Sequence, residues 1–342
     1  MDKRLVYIRL DANHQVGMGH LFRMLTLSDC LHSMGGRSFF LIRENPVSEQ
    51  ILSENGIRYS AFPCNAGEME IIDGTLNDSG IYPDYWIFDI LNTEIMWIRA
   101  VKEKGIKVIT FDDEKGGLEE ADLVINPIVH LWGNYTSELA KAKLLEGIEY
   151  AVMNPRVFKL RRERTISQNT HFSIGITMGG SDTYGITAKL VKVLNKINRK
   201  NISITVFTGP HFEHTEALDR MVKYAHNGIE VRKSVQDLHA NLDLMDVVIC
   251  GGGITLFEVM AMGLPSLAFA NEPHEELTIR YFQSRGGCGS IGAQTDMDER
   301  LLTTRLSEYL DNVSIINSFS SSSYKRFLED GTSNTLQAIL NL

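Results

Sequence analysis

Short runs of uninterrupted apolar residues, each followed by an amphipathic stretch at helical spacing, run through this chain. In the first half the runs are Leu5–Leu10, Ser38–Ile42, Tyr85–Asp89, Val108–Asp112 and Leu123–Asn126. A strand that alternates apolar and polar residues has one wet face. Runs apolar throughout are expected of strands covered on both faces, as in a parallel sheet. Between the first two runs, Leu21, Met24, Leu25, Ser28, Leu31 and Met34 recur at helical spacing, and Gly35–Gly36 supply a stop. This strand–helix–strand rhythm predicts a doubly wound parallel α/β sheet.

The rhythm then pauses. The stretch 154–171, "NPRVFKLRRERTISQNTH", is basic, polar and weakly periodic, and reads as a linker. Strand-like runs resume at Phe172–Met178, Ile202–Thr208, Ile229–Arg232, Val247–Cys250 and Ser266–Ala270. Helical stretches fall at Ala188–Ile197, Leu256–Met262 and Glu275–Arg285, and "TSNTLQAILNL" reads as a final helix. A length of 342 residues suits two domains. The expected division is 1–153, a linker at 154–171, and 172–342, with the last helix able to pack back on the first domain. Two such domains facing one another make a cleft, and open α/β sheets bind ligands outside the carboxyl ends of their strands.

Composition narrows the function. A net charge of −9 argues against a general nucleic-acid partner. Phosphate recognition then falls to backbone amides, helix ends and a few placed basic residues. Cys30, Cys64, Cys250 and Cys288 form no CxxC pair, so neither a zinc nor a redox motif is indicated. The apolar run at the N-terminus is too short for a signal peptide, and no window approaches the roughly 20 apolar residues of a membrane span. A cytoplasmic protein is expected.

The chemistry-bearing residues collect at predicted strand ends. In "IRLDANHQVGMGH", Gly17 and Gly19 allow a tight approach of backbone, and His20 falls in the first helical turn. Exposed amides and the positive helix end there favour an anion and disfavour imidazolium, so His20 is expected to be neutral and able to accept a proton. A histidine that merely caps or packs the turn fits the local pattern equally well. Asp89, Asp112, Asp113 and Asn126 end three further strands. Each alone reads as a helix cap, but together they make a site plausible.

The second half has two glycine turns, "MGGSD" with Gly179, Gly180 and Ser181, and "CGGGITLFE" with Gly251, Gly252 and Gly253. Both suit amides that cradle a phosphate. Neither is followed by GK[ST], and neither matches GxGxxG with its distant acid, so a Walker loop and a nicotinamide site are not indicated. Glu258 could accept hydrogen bonds from a ribose diol or be an ordinary exposed glutamate. The pair His211 and His214, the Asp296 and Asp298 of "TDMDER", and Trp86, Trp97 and Trp132 read as a surface loop, a helix start and core respectively.

Taken together, the motifs resemble a known family. "IRLDANHQVGMGHLFR" resembles the R-x-D-(A/S)…G-x-G-H-x-x-R signature of the UDP-2,4-diacetamido-2,4,6-trideoxy-β-L-altropyranose hydrolases of pseudaminic acid synthesis and of their spore-coat polysaccharide relatives. Arg9, Asp11, Gly17, Gly19, His20 and Arg23 carry the match, and "FDDE" and "ITMGGSD" add to it. "GGGITLFEVMAMGLP", followed by Asn271, is similar in turn to the UDP-GlcNAc transferase of peptidoglycan synthesis. The resemblance covers nearly the whole chain. It implies a GT-B fold, two Rossmann-like domains with an interdomain cleft, and a metal-independent, cofactor-free reaction. Water attacks the anomeric carbon of a UDP-linked diacetamido-trideoxyhexose, His20 acts as general base, and UDP leaves. By the same resemblance Gly180, Ser181, Gly252 and Gly253 lie near the diphosphate, Glu258 near the ribose and Asn271 near the sugar, and Ile254 belongs to the substrate-binding set. Arg9, Asp11, Arg23, Asp89, Asp112 and Asn126 contribute to substrate binding.

One position departs from the family. Its Asp-His-Tyr reads Asp89-Ile90-Leu91 here, so a phenol becomes apolar. A GT-B glycosyltransferase using the same base on an acceptor hydroxyl is the second reading, and a non-catalytic nucleotide-sugar binding protein the third.

Overall fold

The structure is a computed structural model and describes residues 4–12, 18–78, 80–90, 92–113, 115–128, 142–167, 171–180, 182–197, 201–209, 212–225, 228–326 and 330–342. The chain divides into two compact units, Met1–Asn154 with Glu329–Leu342, and Pro155–Leu328.

In the first unit the strands are β1 (Leu5–Leu10), β2 (Arg37–Arg43), β3 (Tyr59–Phe62), β4 (Tyr85–Asp89), β5 (Lys107–Phe111), β6 (Leu123–Asn126) and β7 (Lys143–Glu146). Its helices are α1 (Gly19–Ser33), α2 (Pro46–Glu54), α3 (Glu68–Asp78), α4 (Ile95–Lys102) and α5 (Gly116–Glu120). The sheet is parallel, in the order β3-β2-β1-β4-β5-β6-β7. The order reverses between β1 and β4, where Leu10 lies opposite Asp89.

Alternation within the strands sends side chains to two covered faces. Val6, Ile8 and Leu10 of β1, with Tyr85 and Ile87 of β4, pack in one cluster with Leu21, Met24 and Leu25 of α1. Leu5 and Tyr7, with Trp86 and Phe88, pack in the other with Ile71 and Ile72 of α3 and Ile98 of α4. Both sides of β1 are therefore dry, which is why the run "LVYIRL" is buried along its whole length.

The second unit opens with α6 (Arg156–Lys159). Its sheet contains β8 (Phe172–Thr177), β9 (Ile202–Thr208), β10 (Gly228–Lys233), β11 (Val247–Gly251), β12 (Ser266–Ala270) and β13 (Gly289–Ala293), parallel in the order β10-β9-β8-β11-β12-β13. Its helices continue with α7 (Ile186–Lys196), α8 (Thr215–Lys223), α9 (Leu238–Leu242), α10 (Ile254–Ala261), α11 (Pro273–Gln283), α12 (Glu299–Asp311) and α13 (Val313–Arg326). Thr177 pairs with Cys250, so the glycine turns after β8 and β11 are neighbours at the reversal of strand order.

The stretch 154–171, expected as a linker, is bound to the second unit where it is described. Arg162 and Arg164 reach Asp243, and the Arg164 amide donates to Ser320 Oγ at 2.8 Å. Basic residues that looked like solvated linker have acidic and hydroxyl partners. The last helix, α14 (Gly331–Leu340), belongs to the first unit, where Leu336 and Ile339 join the α1 face of the core.

Candidate functional site

Strand parity explains the polar cluster at the end of the first sheet. Asp89 continues the Tyr85–Ile87 side of β4, which faces α1. It meets His20 and Arg23 there. His20 Nδ1 lies 2.8 Å from Asp89 Oδ1, and Arg23 Nε donates to Asp89 Oδ2 at 2.9 Å. Arg23 also bonds Asp89 through Nη2 and Asp112 through Nη1, while Phe111 lies under its guanidinium at 5.4 Å.

Asp112 reaches this cluster by a local break in parity. Simple alternation would send it to the far side with Val108 and Thr110. Its φ of +50° turns the chain, a conformation that aspartate tolerates better than most residues. Asp113 then points away and caps another loop, accepting from the amides of Thr93 (3.2 Å), Lys115 (3.0 Å) and Gly117 (2.8 Å). The two adjacent carboxylates thus serve different structures. Asn126, fully buried, ends β6 beside them, and the Asp112 amide donates to Ile125 O at 3.0 Å.

Electrostatics follow from burial. Burial alone pushes the Asp89 carboxyl up, but Arg23 and His20 more than offset it and hold the group well below the usual carboxylate range. For Asp112, burial, opposed by Arg23 and reinforced by repulsion from Asp89, pushes the carboxyl up. Arg23 serves two carboxylates and fully neutralises neither. Asp112 Oδ1 is buried and has no hydrogen-bond partner among the described residues.

His20 is different in kind. Its side chain is 16% exposed, its Nδ1 is fixed on Asp89, and Nε2 has no partner among the described residues. A carboxylate on Nδ1 selects the tautomer and stabilises the charge that the ring gains when Nε2 takes a proton.

Arg9 and Asp11, expected at the substrate, are tied to one another. Arg9 continues the Leu5–Tyr7 side of β1 toward α3 and is fully buried. Its Nε donates to Glu68 at 2.6 Å and its Nη1 to Asp11 at 2.7 Å. Arg43 from the end of β2 bonds the same two carboxylates. This corrects the expectation for Arg9: no surface of its guanidinium is left for a ligand, and it acts as an internal strut. Asp11 keeps partial exposure and borders a cavity of about 510 Å³ with Ala12, Arg43, Glu44, Asn45 and Cys64. Gly19 begins α1 with open space where a Cβ would stand; Gly17 lies outside the described residues.

In the second unit the turn after β8 ends on Asp182, whose carboxylate caps α7 through the amides of Ile186 (2.8 Å) and Thr187 (2.9 Å). Gly180 packs directly beneath Gly209, where a larger residue would collide; Ser181 lies outside the described residues. The turn after β11 is held by Glu275 of α11, which no sequence motif indicated. Its carboxylate accepts from the amides of Gly252 (3.1 Å) and Asn271 (2.7 Å). Gly252 is a glycine because a Cβ there would lie 2.7 Å from Glu275 Cβ. Its amide is therefore engaged with Glu275. The amides of Gly253 and Ile254, at the start of α10, have no partner among the described residues. Asn271 Oδ1 is buried without a hydrogen-bond partner among the described residues. Glu258 is largely buried, 3.2 Å from His239, rather than an exposed helix glutamate.

Among the described residues, no group of three or more His, Cys, Asp or Glu side chains is placed to hold a metal ion, and no helix is long and apolar enough to cross a membrane. His214 sits beside Gly185 at the start of α7, and Asp298 caps α12. His211 and the Asp296 side chain lie outside the described residues.

The chain superposes on MurG of Acinetobacter baumannii with a TM-score of 0.70, covering 99% of this chain and 100% of that one at 14% identity. The fold is of the GT-B type. Spinosyn rhamnosyltransferase SpnG, solved with thymidine diphosphate, matches with a TM-score of 0.65 at 14% identity over 99% of both chains. A UDP-N-acetylglucosamine 2-epimerase (so described) of Listeria monocytogenes matches at 0.62 and 14% identity, over 99% of this chain and 96% of that one. In sequence, the chain is 23% identical to the spore coat polysaccharide biosynthesis protein SpsG of Bacillus subtilis, over 90% of this chain and 89% of that protein. It is 28% identical to an uncharacterized protein of Methanocaldococcus jannaschii over 79% of this chain, which spans 57% of that longer protein. No family model matches.

Proposed function

We propose that this protein is a UDP-sugar-processing enzyme in which His20 activates an oxygen nucleophile against the anomeric carbon. The observation that carries this reading is the geometry of His20, with Nδ1 held 2.8 Å from Asp89 and Nε2 without a partner among the described residues. The nucleophile's oxygen bonds to the anomeric carbon as its proton passes to Nε2. The carbon–oxygen bond to the diphosphate breaks, and UDP leaves with the electron pair. The nucleotide binds the second unit, its diphosphate at the Gly253 and Ile254 amides that open α10 and near Gly180 and Ser181, and its ribose on Glu258.

The first reading of the nucleophile is water, releasing a free amino sugar of the diacetamido-trideoxy type for a nonulosonic acid or surface polysaccharide. Its support is the Arg9–Asp11–Gly17–Gly19–His20–Arg23 signature, together with the likeness to a spore coat polysaccharide biosynthesis protein. The second reading is transfer to an acceptor hydroxyl, and the likeness in fold to glycosyltransferases such as MurG and SpnG supports it at least as well. Incubating the protein with a panel of UDP-sugars and no acceptor separates the two. Free UDP and free sugar are expected for the hydrolase, release only on adding an acceptor for the transferase, and no release in either case would remove the enzymatic reading.

Glu258→Ala is expected to weaken UDP binding by about 1.5–3 kcal/mol in calorimetry, the contribution of a hydrogen bond to a charged acceptor. Unchanged affinity would remove Glu258 from the nucleotide site. Turnover is expected to survive EDTA in full. Asp113 already caps a loop, and Asp112 is closed in with Arg23, so the acidic pair is not arranged around a shared ion. Loss of turnover in EDTA that magnesium restores would overturn this.

A further inference from the structure

The second unit contains a polar pair outside every motif. His239 of α9 places Nε2 at 3.2 Å from Oε2 of Glu258 of α10, and the two side chains are only 13% and 16% exposed. Among the described residues Glu258 has no other side-chain partner, which leaves Oε1 available. The short helix that carries the imidazole is held by its neighbours. Asp237 caps α9 by accepting from the Ala240 amide at 3.0 Å, Asn241 donates back to Asp237 O at 2.6 Å, and Arg232 donates to Asn241 Oδ1 at 2.8 Å. Three charged groups bear on His239: Glu258 from α10, Asp237 from the cap of its own helix, and Arg156 from α6, which pairs with Asp237 at 2.6 Å.

We propose that His239 is a positioning residue for the nucleotide, holding one oxygen of Glu258 so that the other accepts from a ribose diol, and offsetting that carboxylate's charge beside a diphosphate. The inference rests on Glu258 being the ribose acceptor. A carboxylate alone in a largely buried setting would both wander among rotamers and repel the diphosphate. A cationic partner fixed on a capped helix corrects both faults. The charge balance around the ring suits this role. Burial opposes protonation of His239, but the close contact with and attraction from Glu258, with help from Asp237 and against Arg156, raise its proton affinity above that of a free histidine. A raised histidine is charged below its pKa, so the stabilisation is present at low pH and is lost as pH rises through that value.

The test is UDP calorimetry on the intact protein and on His239→Gln, from about pH 6 to about pH 8.5, bracketing the range in which histidines titrate. UDP's own ionisation is common to both proteins and cancels in the ratio of their Kd values. That ratio is expected to be roughly tenfold near pH 6, the equivalent of a one-unit pKa change on binding, and to approach one near pH 8.5, where both side chains are neutral donors. A ratio that does not vary with pH overturns the proposal, because a merely structural histidine gives a constant loss. Glu258→Gln is measured in parallel. If it leaves UDP affinity unchanged at every pH, the ribose reading itself has failed, and the proposal with it. If it weakens binding while the His239 ratio stays flat, only the proposal has failed. Should His239→Gln not fold, histidine NMR of the unaltered protein decides. The His239 pKa is expected to rise on adding UDP, and no change would overturn the proposal.

Discussion

A His20→Asn variant is expected to lose turnover by about 10²–10⁴-fold while keeping UDP affinity close to that of the unaltered protein. Asparagine is near the size of the ring's first half and can still donate from its amide toward Asp89, so Arg23, Asp89 and Asp112 should keep their places. What disappears is Nε2, the ring nitrogen that has no partner among the described residues. An oxygen nucleophile must then shed its proton to solvent as it attacks. The measurement is UDP release at saturating UDP-sugar, with UDP affinity read separately by calorimetry. Near-normal turnover in the variant would falsify the assignment of His20 as base, and a lost UDP affinity would show that the residue acts through folding or binding instead.

Much of this fold could be read from residue order, and the omissions share a cause. Strands β1, β4, β6, β9 and β12 are largely apolar, and each is flanked on both sides in its sheet and covered on both faces. Strands β3, β7 and β13 carry no such signal, and all three lie at sheet edges. The sequences "YSAF" and "KLLE" are only partly buried, and "GSIGA" carries two glycines, so the apolar signal that marks central strands is diluted. Those edge strands complete the sheets, but they contribute little to the polar cluster, which sits where the strand order reverses.

The site was legible in outline for a related reason. Polar residues that interrupt apolar runs at strand ends, Asp89, Asp112 and Asn126, are conspicuous in a linear reading. Their partners are not. Glu68 lies 59 positions from Arg9, and Glu275 lies 23 from Gly252. Nothing in "GEME" or "PHEEL" marks these two glutamates among their acidic neighbours. The Arg9 correction has the same origin. Its place in the signature suggested substrate contact, whereas strand parity sends it inward to Glu68. His20 shows what pattern and geometry each supply. The glycine turn placed it at a helix start, and only the fold shows that Asp89 occupies Nδ1.

Arg23→Met is expected to be the most damaging single substitution for the first unit, at about 3–5 kcal/mol at neutral pH. Methionine fills much of the same volume and would rest on Phe111, so the apolar stem is largely replaced. The guanidinium is not. Asp89 and Asp112 are both fully enclosed, and Arg23 is the only cation bonded to Asp112 among the described residues. Removing it leaves two buried carboxylates facing each other, with His20 alone to offset them. The sign of the pH dependence follows. In the unaltered protein Asp89 is held low by Arg23, so its contribution is present above the unfolded carboxylate pKa and is lost as pH falls. In the variant at least one of the two carboxyls must be raised by burial and mutual repulsion. The variant therefore binds extra protons when folded and regains stability as pH falls toward about 5. Chemical denaturation of both proteins at about pH 7.5 and about pH 5 reads this directly. The difference between them should shrink at the lower pH. Equal stability at pH 7.5, or a loss that pH does not move, would mean that the two aspartates do not depend on Arg23 for their charge.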